Sequence, residues 1–448
     1  METSMTGKEA DWIEVKPDPG MPSKLVAWRQ KLSNKAKQEE GFRFYSLYSL
    51  VCHPETLRWA WTLVRRNNGA AGVDGITCKR IEQGEGGVER FLQELEEELK
   101  SKTYRAAPVK RVYVEKPDGK LRPLGIPTIK DRVAQTAVKL IIEPIFEADF
   151  NDCSYGYRPG RSAKDAIRAI QGHLKEGKNE VYDADLSGYF DSIPHDKLMA
   201  CVEMRIVDGG VLRLIRQWLK APVLEPSEKG KPPKMKRNDK GTPQGGVISP
   251  LLANLYLHWF EKVLLSKIKR DQLHAGIVRY ADDFVVLVDQ LSDELKAFIV
   301  DKLENWMGLR INQEKTSSKR MKQIGTRLDF LGYSIRYDRD LHGRPRRYLN
   351  TFPSPKSVKR ERAKLRQMTN KKQCFKPVPV LTAELNRHLK GWANYYSFGY
   401  PRKAFREINS YTRERMTKHL QRRSQRAYKV PEGKSYYKHL EDMGLIYL

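Results

Sequence analysis

Two adjacent aspartates, Asp282 and Asp283, stand between two apolar segments that read as strands, Gly276–Tyr280 and Phe284–Val288. Carboxylates held side by side in a tight turn repel each other unless a cation offsets their charge. Magnesium binds through a few carboxylates together with substrate phosphate oxygens, so the pair predicts a metal-dependent phosphoryl-transfer site. A structural interpretation is also open, because aspartate is a favourable turn residue.

A third carboxylate for such a site is available at the end of another apolar segment, Val181–Asp185. Two-metal phosphoryl transfer needs an acid from a separate part of the chain to bridge the ions. Strand periodicity places Asp183 and Asp185 on the same face, so the pattern alone does not choose between them. Asp191 could instead begin a turn before Pro194, which would be a structural role.

The segment Gly241–Pro250 contains three glycines and two prolines. Glycine allows the backbone to approach a ligand closely, so this composition indicates a shaped loop beside a site. Ser249 and Pro250 stand where a helix would begin, as its N-cap and its first residue. The alternative is a turn with a structural role only.

Hydrophobic spacing predicts the elements that must position these residues. Helices are predicted at Thr56–Arg66, Val88–Lys100, Arg132–Phe146 (ending near Pro144), Lys197–Val207, Val211–Leu219 and Ser249–Leu265. Strands at Val109–Val114 and Leu121–Ile126 predict a hairpin that turns at Lys116–Gly119. The segment Pro222–Lys240 is rich in Pro, Gly and Lys, which predicts an exposed loop.

Changes in composition predict boundaries towards both ends of the chain. Residues 1–40 have the composition of a flexible or loosely docked tail. Pro353 and Pro355 bracket the segment Leu349–Lys356, which predicts a linker between domains. Beyond it the sequence predicts basic helices with almost no strand.

The chain is strongly basic, with 83 Lys and Arg against 55 Asp and Glu and a formal charge of +28. From Thr351 to Leu448 there are 23 basic and 7 acidic residues, so +16 of this charge lies in under a quarter of the chain. This concentration favours a polyanionic partner, nucleic acid ahead of an anionic membrane, over a merely solubilising surface. The sequence has no apolar run of about 18 residues and no C-x-x-C pair among its five cysteines, which indicates no membrane span, disulfide framework or zinc site.

Several segments, in this order, resemble the fingers and palm motifs of bacterial group II intron reverse transcriptases. They are Lys120–Pro127, Ser154–Ser162, Asp185 with Phe190, Thr242–Gly246, Tyr280–Asp283, Leu309–Thr316 and Phe330–Tyr333. Gly391–Tyr396 resembles the helical thumb, or maturase domain, of the same family. The resemblance runs from about Tyr45 to the C-terminus. It implies an α+β fold: a right-hand polymerase with fingers and an antiparallel palm sheet, followed by an all-α thumb/maturase domain.

Together with the composition, this resemblance divides the chain into five parts. They are an N-terminal tail (1–40), an N-terminal extension of the fingers (41–105), the fingers and palm (106–348), the thumb/maturase domain (349–415) and a basic C-terminal segment (416–448).

The resemblance also implies a role for each matched residue. Asp185, rather than Asp183, would bridge two Mg²⁺ ions with Asp282, and Asp283 would complete the acidic cluster. Phe190 would lie under the sugar of the incoming nucleotide and exclude a 2′-hydroxyl. Lys315 would protonate the pyrophosphate leaving group, with a solvated lysine as an equal alternative. The remaining implied positions are Lys116, Arg122 and Gln244 for nucleotide binding, and Leu331 and Gly332 as the primer grip.

Aromatic and basic residues alternate in the C-terminal region, a pattern suited to stacking on unpaired bases and contacting phosphates. The residues are Trp392, Tyr395, Tyr396, Phe398 and Tyr400, interleaved with Arg387, Lys390, Arg402 and Lys403. For Trp392, Tyr396 and Phe405 we favour the alternative that they form the core of a helical thumb. The RNA-phosphate contacts are expected further on, at Arg422, Arg423, Arg426 and Lys429.

The expected activity is RNA-directed DNA synthesis by two-metal nucleotidyl transfer, combined with assistance to splicing. The expected partners are a group II intron RNA template, a DNA primer or target and dNTPs, without a membrane, in a nucleoid-associated ribonucleoprotein of the bacterial cytoplasm. The sequence ends at Leu448 without the cysteine-bearing HNH endonuclease domain that such proteins often carry, so we expect no second-strand cleavage and priming from another 3′ end. Three alternatives remain: a domesticated reverse transcriptase serving phage defence or a CRISPR array, a splicing cofactor that no longer polymerises, and a viral RNA polymerase.

Overall fold

A computed structural model describes residues 18–115, 119, 121–226, 234–339, 347–424, 426 and 428–448. Its helices in chain order are α1 Ser23–Gln38, α2 Tyr48–Val51, α3 Pro54–Asn67, α4 Cys78–Gln83, α5 Gly87–Lys100, α6 Ile129–Glu147, α7 Ala163–Lys175, α8 Tyr189–Ser192, α9 His195–Glu203, α10 Gly209–Lys220, α11 Ser249–Arg270, α12 Asp293–Asp301, α13 Pro355–Met368, α14 Val378–Tyr395, α15 Arg402–Arg422 and α16 Tyr436–Asp442. The strands are β1 Val109–Glu115, β2 Leu121–Ile126, β3 Glu180–Ala184, β4 Val223–Glu225, β5 Lys234–Lys236, β6 Ala275–Tyr280, β7 Asp283–Val288, β8 Ser317–Arg320, β9 Leu328–Phe330, β10 Tyr333–Arg339 and β11 Arg347–Pro353.

The strands form three sheets, with the orders β2-β1-β4-β5, β6-β7-β3-β8 and β11-β10-β9. The predicted hairpin is confirmed: β1 and β2 pair antiparallel from Lys110 opposite Ile126 to Glu115 opposite Leu121. The acidic pair lies at the turn between β6 and β7, which are neighbours in their sheet. The fold is therefore α+β, as expected.

The chain divides into two compact units. The first comprises Met1–Ala166, Tyr182–Val286 and Leu291–Ser317, and the second comprises Ile167–Val181, Leu287–Gln290 and Ser318–Leu448. In the first unit α6 is buried on almost every face and contacts α1 and α3. The second unit has its own apolar core, formed by α13, α14 and α15 around fully buried Leu365, Leu385 and Ile408. Each unit therefore has an apolar core of its own.

The first part of the chain is not loosely docked where the structure describes it. Helix α1 contacts α6, and Leu25 is completely buried. The guanidinium of Arg29 forms a buried ion pair with Glu143 at 3.0 Å. The expectation of a tail is therefore wrong for α1, because its polar composition concealed a buried face, while residues 1–17 lie outside the described residues.

Helix α6 continues past Pro144 to Glu147, so its predicted end is wrong. A proline inside a helix removes one backbone hydrogen bond at substantial cost. Here Ile145 and Phe146 are completely buried, and their burial offsets that cost. Helix α11 is likewise longer than predicted, whereas α9 ends at Glu203 instead of Val207.

The predicted loop Pro222–Lys240 contributes two strands to a sheet. Strand β4 pairs parallel with β1, and β5 pairs antiparallel with β4. The side chain of Val223 is only 3% exposed. The prediction of a continuous exposed loop is wrong because three-residue strands leave too little periodicity to detect, while residues 227–233 lie outside the described part.

The predicted linker Leu349–Lys356 is a strand followed directly by a helix. Strand β11 pairs with β10 from Tyr333 opposite Pro353 to Arg339 opposite Arg347. Ser354 then caps α13 by accepting a hydrogen bond from the backbone N–H of Ser357 at 3.2 Å. The two prolines mark the end of a strand and the first turn of a helix, where a missing N–H costs little. The chain crosses between the two units several times, and its last crossing falls after Ser317.

Among the described helices, none is long and apolar enough to cross a bilayer. The five cysteines are free thiols.

Candidate active site

The acidic turn has an unusual backbone that a buried arginine supports. Ala281 has φ +58°, a conformation that residues other than glycine rarely adopt. The guanidinium of Arg279 donates hydrogen bonds from Nη1 to the Ala281 carbonyl and to Asn254 Oδ1, both at 2.9 Å. The same side chain also forms a buried ion pair with Glu261. Arg279 therefore fixes the backbone of the turn that presents Asp282 and Asp283.

Neither Arg279 nor Glu261 was predicted as part of the site. Both side chains are completely buried. Burial raises the pKa of Glu261, but the charge of Arg279 and the hydrogen bonds from His258, Arg279 and Asn151 together outweigh it, so the net pKa is lowered and the carboxylate remains charged. The available signal was an arginine inside an otherwise apolar strand, which requires a buried partner.

The third carboxylate, Asp185, follows β3 directly and is fixed by its backbone. Its carbonyl accepts a hydrogen bond from the N–H of Asn312 at 2.8 Å, and its own N–H donates to Thr316 Oγ1 at 3.3 Å. Its Oδ2 lies 3.2 Å from the Lys315 ammonium, whose side chain is 60% exposed. Lys315 is therefore a neighbour of the acidic site, and its role as a proton donor stays a prediction.

The three carboxylates interact electrostatically. Burial, together with the negative charges of Asp282, Asp185 and Asp183, raises the pKa of Asp283 to about 7. The pKa of Asp282 is also raised, by burial and by Asp185, although Arg122 partly opposes this. Asp183 and Asp185 both raise the pKa of Asp283, so the electrostatics do not decide which of the two would bridge the metal ions. The site carries more negative charge than its own lysine and arginine neutralise.

A hard divalent cation fits this donor set. In the described part of the chain no three His, Cys, Asp or Glu side chains already converge closely enough to enclose an ion. Mg²⁺ commonly keeps several waters and substrate phosphate oxygens and takes only one or two carboxylates from the protein. The acids Asp185, Asp282 and Asp283 offer oxygen donors and uncompensated charge, which is the chemistry such an ion needs.

The predicted nucleotide-binding residues Arg122 and Gln244 meet in the structure. The Nε of Arg122 donates to Oε1 of Gln244 at 3.0 Å. The Gly125 N–H donates to the Gln244 carbonyl at 2.6 Å, which ties this loop to β2. A Cβ on Gly245, at φ +112°, would lie 2.4 Å from the Gly125 carbonyl oxygen. The third residue of this group, Lys116, lies outside the described residues.

Phe190 lies in the short helix α8 with Asp191 and is 5% exposed. Its carbonyl accepts a hydrogen bond from the backbone N–H of Thr242 at 2.7 Å, so the glycine-rich loop is bound to this helix. Ser249 was predicted to be the N-cap of α11, and this prediction is wrong. Ile248 occupies the N-cap position, and Ser249 is the first residue of the helix. Its Oγ instead donates to the Pro243 carbonyl at 2.9 Å, which braces the same loop.

In the second unit, Leu331 and Gly332 form the turn between β9 and β10. Leu331 has φ +48°, and its carbonyl accepts a hydrogen bond from the Tyr395 hydroxyl at 2.8 Å. The Gly332 carbonyl accepts from Ser357 Oγ at 2.9 Å and from the Ser354 N–H at 2.8 Å. Residues on α13 and α14 therefore fix the backbone of this turn.

The rings of Trp392, Tyr396 and Phe405 pack against one another, which supports the packed-core alternative, although only Tyr396 is fully buried. Tyr396 is 2% exposed, and the Trp392 ring lies 4.8 Å from that of Tyr396 and 5.7 Å from that of Phe405. The predicted RNA-binding cations are all exposed and, within the described residues, lack a carboxylate partner. They are Arg387, Lys390, Arg402, Lys403, Arg422, Arg423, Arg426 and Lys429.

Comparison with known proteins supports two consecutive domains. The family model described as reverse transcriptase (RNA-dependent DNA polymerase) matches residues 114–335, and the group II intron maturase-specific domain matches residues 358–437. The chain is 34% identical to Protein YkfC of Escherichia coli (strain K12), across 73% of this chain and 92% of that protein. It is 30% identical to the Group II intron-encoded protein LtrA of Lactococcus lactis subsp. cremoris, across 70% of this chain and 60% of that protein. It thus spans less than two thirds of LtrA.

The matching solved structures are more distant. A partial Cas6-RT-Cas1–Cas2 complex matches with 23% identity and a TM-score of 0.36, across 58% of this chain and 41% of that chain. A telomerase from Candida albicans matches with 12% identity and a TM-score of 0.43, across 71% of this chain and 60% of that chain.

The polymerase match and the acidic site together define a reverse transcriptase, an enzyme that synthesises DNA on an RNA template. The chain belongs to the family of group II intron reverse transcriptases and maturases. The expected succession of fingers, palm and helical thumb is thereby confirmed. Enzymes of this class use divalent metal ions and bind RNA.

Proposed function

We propose that this reverse transcriptase copies a group II intron RNA into DNA and assists the splicing of that RNA. The observation that carries the proposal is the electrostatic coupling of Asp185, Asp282 and Asp283, with Arg122 acting on Asp282 and Lys315 acting on Asp283. A protein that only bound RNA would have no need to bury acids that repel one another. This argues against a splicing cofactor without polymerase activity.

Asp185 and Asp282 would hold two Mg²⁺ ions, and Asp283 would complete the cluster. When bound, the ions would activate the primer 3′-hydroxyl and screen the phosphates of the incoming dNTP. Arg122 and Gln244 would then orient the triphosphate and sugar, and Phe190 would exclude a 2′-hydroxyl. Lys315 would add positive charge beside Asp185. The primer end would rest on Leu331 and Gly332.

The exposed cations predicted for RNA binding would contact the intron RNA, since none of them pairs with a carboxylate among the described residues. The expected setting is a ribonucleoprotein of the bacterial cytoplasm. A domesticated reverse transcriptase would share the acidic site but act on a different RNA, so the two functions differ in which RNA the protein serves.

The test incubates purified protein with RNA transcribed from the DNA that flanks its reading frame, and measures splicing at low Mg²⁺ alongside cDNA synthesis. We expect the wild-type protein to perform both. Asp282→Asn should lose cDNA synthesis almost completely, by at least about 10³-fold, because catalysis here depends on charge held by these acids. It should keep RNA binding and splicing assistance.

Two results would contradict the proposal. Polymerisation without any splicing assistance would favour a domesticated enzyme. Full polymerase activity in Asp282→Asn would place the reaction elsewhere. Asp183→Asn serves as the matched variant: retention of most activity supports Asp185 as the bridging acid, and complete loss would transfer that role to Asp183.

A further inference from the structure

A cavity of about 710 Å³ opens in the second unit. The hairpin β10–β11 and helices α13 and α15 supply its walls. Its volume is in the range of pockets that hold small organic ligands. The residues that could recognise a ligand there are Arg336, Asn350, Lys359, Arg362, Tyr400 and Lys403.

Tyr400 forms a rigid aromatic wall of this cavity. Its side chain is 61% exposed, yet its backbone N–H donates to the Thr351 carbonyl at 2.7 Å. Gly399, at φ +84°, lies so close to the same strand that a Cβ would be 2.2 Å from the Thr351 oxygen. The Tyr348 ring supports Tyr400 edge-to-face at 5.7 Å. An exposed ring fixed in this way can stack on a base with little loss of entropy.

Two lysines provide positive charge at the same cavity. Lys359 on α13 and Lys403 on α15 are exposed, and neither has a carboxylate partner among the described residues. Glu407 is the one acid among the described lining residues, and Arg362 pairs with it at 3.1 Å. The two lysines are therefore available to bind an anion such as a phosphate.

The inner wall has a polar group that lacks a partner. Asn350 Nδ2 donates to Asp338 Oδ2 at 2.5 Å, which turns the Asn350 Oδ1 away from that carboxylate. Within the described residues this buried Oδ1 accepts no hydrogen bond. Beside it, the Arg336 guanidinium lies 5.0 Å from the Phe352 ring. A buried acceptor without a donor indicates an absent partner, and an exocyclic amino group of a base is a donor of suitable size.

We propose that this cavity receives one unpaired nucleotide of a bound RNA. The base stacks on Tyr400 and directs an amino group towards Asn350, while Lys359 and Lys403 hold its phosphate. The inference rests on the proposed RNA-binding function and adds a specific subsite to it. RNA is favoured over a free nucleotide because an exposed ring and two flexible lysines bind a single nucleotide weakly. Other contacts between the protein and the same RNA would raise the effective concentration of this nucleotide at the cavity.

The test uses two RNA duplexes of the same sequence, one fully paired and one with a single bulged adenosine. Affinity is measured for the full-length protein at fixed salt, and 2-aminopurine at the bulge reports stacking through its fluorescence. The variants are Tyr400→Ala, the conservative Tyr400→Phe, and the Lys359→Ala/Lys403→Ala double variant. Phe375→Ala serves as the aromatic control, because Phe375 is 77% exposed in the same unit but does not line the cavity.

We expect the wild-type protein to bind the bulged duplex roughly tenfold more tightly than the paired one. Tyr400→Ala should bring this ratio close to one, and Tyr400→Phe and Phe375→Ala should keep it. The double lysine variant should also reduce this ratio, but it should change the 2-aminopurine fluorescence less than Tyr400→Ala does. A wild-type ratio near one, or a ratio that Tyr400→Ala leaves unchanged, would overturn the subsite.

Adenosine monophosphate distinguishes the two sources of the nucleotide. We expect it to compete with the bulged duplex only at concentrations far above the affinity for that duplex. If it binds as tightly as the bulged RNA, the cavity is a site for free nucleotides and the RNA assignment is wrong. Failure of the wild-type protein to bind either duplex would instead count against the proposed RNA-binding function, so the two failures are distinguishable.

Discussion

Arg279 connects the stability of the first unit to the geometry of the acidic turn. Its guanidinium joins a buried carboxylate, Glu261, to the carbonyl of the strained residue Ala281. A charge that is removed from water in this way is stable only while its partner is present. Stability and catalysis therefore depend on the same side chain but through different contacts, which a double substitution can separate.

Arg279→Met should reduce the free energy of unfolding by about 3–5 kcal/mol, because buried Glu261 loses its guanidinium partner. It should also abolish most DNA synthesis, since the Ala281 carbonyl loses its donor. Adding Glu261→Met removes the unpaired charge and should recover much of the stability. Urea unfolding and primer extension measure the two effects. Recovery of both stability and activity in the double variant would mean that the turn does not need Arg279.

Phe190→Ala should weaken the preference for dNTPs over rNTPs by about tenfold or more, because the side chain that would block the 2′-hydroxyl is removed. Phe190 is nearly buried, so the substitution also costs stability, on the order of 3 kcal/mol. The ratio of kcat/KM for the two nucleotides, measured within each variant, separates these effects because unfolded protein uses neither. An unchanged ratio would exclude Phe190 as the steric gate.

At the scale of elements, the glycine-rich loop is shaped by how closely its backbone approaches β2. Gly245→Ala places a Cβ 2.4 Å from the Gly125 carbonyl oxygen and should displace Gln244. We expect KM for dNTPs to rise about tenfold with a smaller change in kcat, because orientation of the nucleotide is lost.

Gly75→Ala is the matched control for this loop. Gly75 also has a positive φ, +67°, but a Cβ there would meet no atom within 4 Å. It should cost about 1 kcal/mol of stability through backbone strain and leave KM unchanged. An equal rise of KM in both variants would indicate general destabilisation rather than displacement of Gln244.

The sequence predicted those elements and site residues whose patterns are local. The strands around Asp282 and Asp283 and the hairpin of Arg122 have apolar alternation and turn residues that identify them directly. Helix α1 was missed because its buried contacts, such as Arg29 with Glu143, join residues far apart in the chain. Arg279 and Glu261 were missed for the same reason, since neither is unusual until its partner is known.

At the scale of the whole molecule, the net positive charge is concentrated in the C-terminal region. Residues 351–448 carry +16 of the total charge of +28, and the exposed cations predicted to bind RNA have no carboxylate partner in the described region. The acidic site lies entirely in the first unit. Substitutions that remove basic charge from the C-terminal segment should therefore affect the binding of intron RNA more than the addition of nucleotides to a short primer.

Replacing Arg422, Arg423, Arg426 and Lys429 by glutamine should weaken binding of intron RNA and reduce the slope of log K against log salt by about 3, since each lost phosphate contact removes about 0.7–0.9. Primer extension on a short template should persist.

The control replaces Lys31, Lys79, Lys220 and Lys269, four exposed lysines of the first unit, with glutamine. Both variants have the same net charge, so a slope that changes only in the first set assigns the contacts to the C-terminal segment. Equal loss of binding and extension in that set would indicate a damaged fold instead.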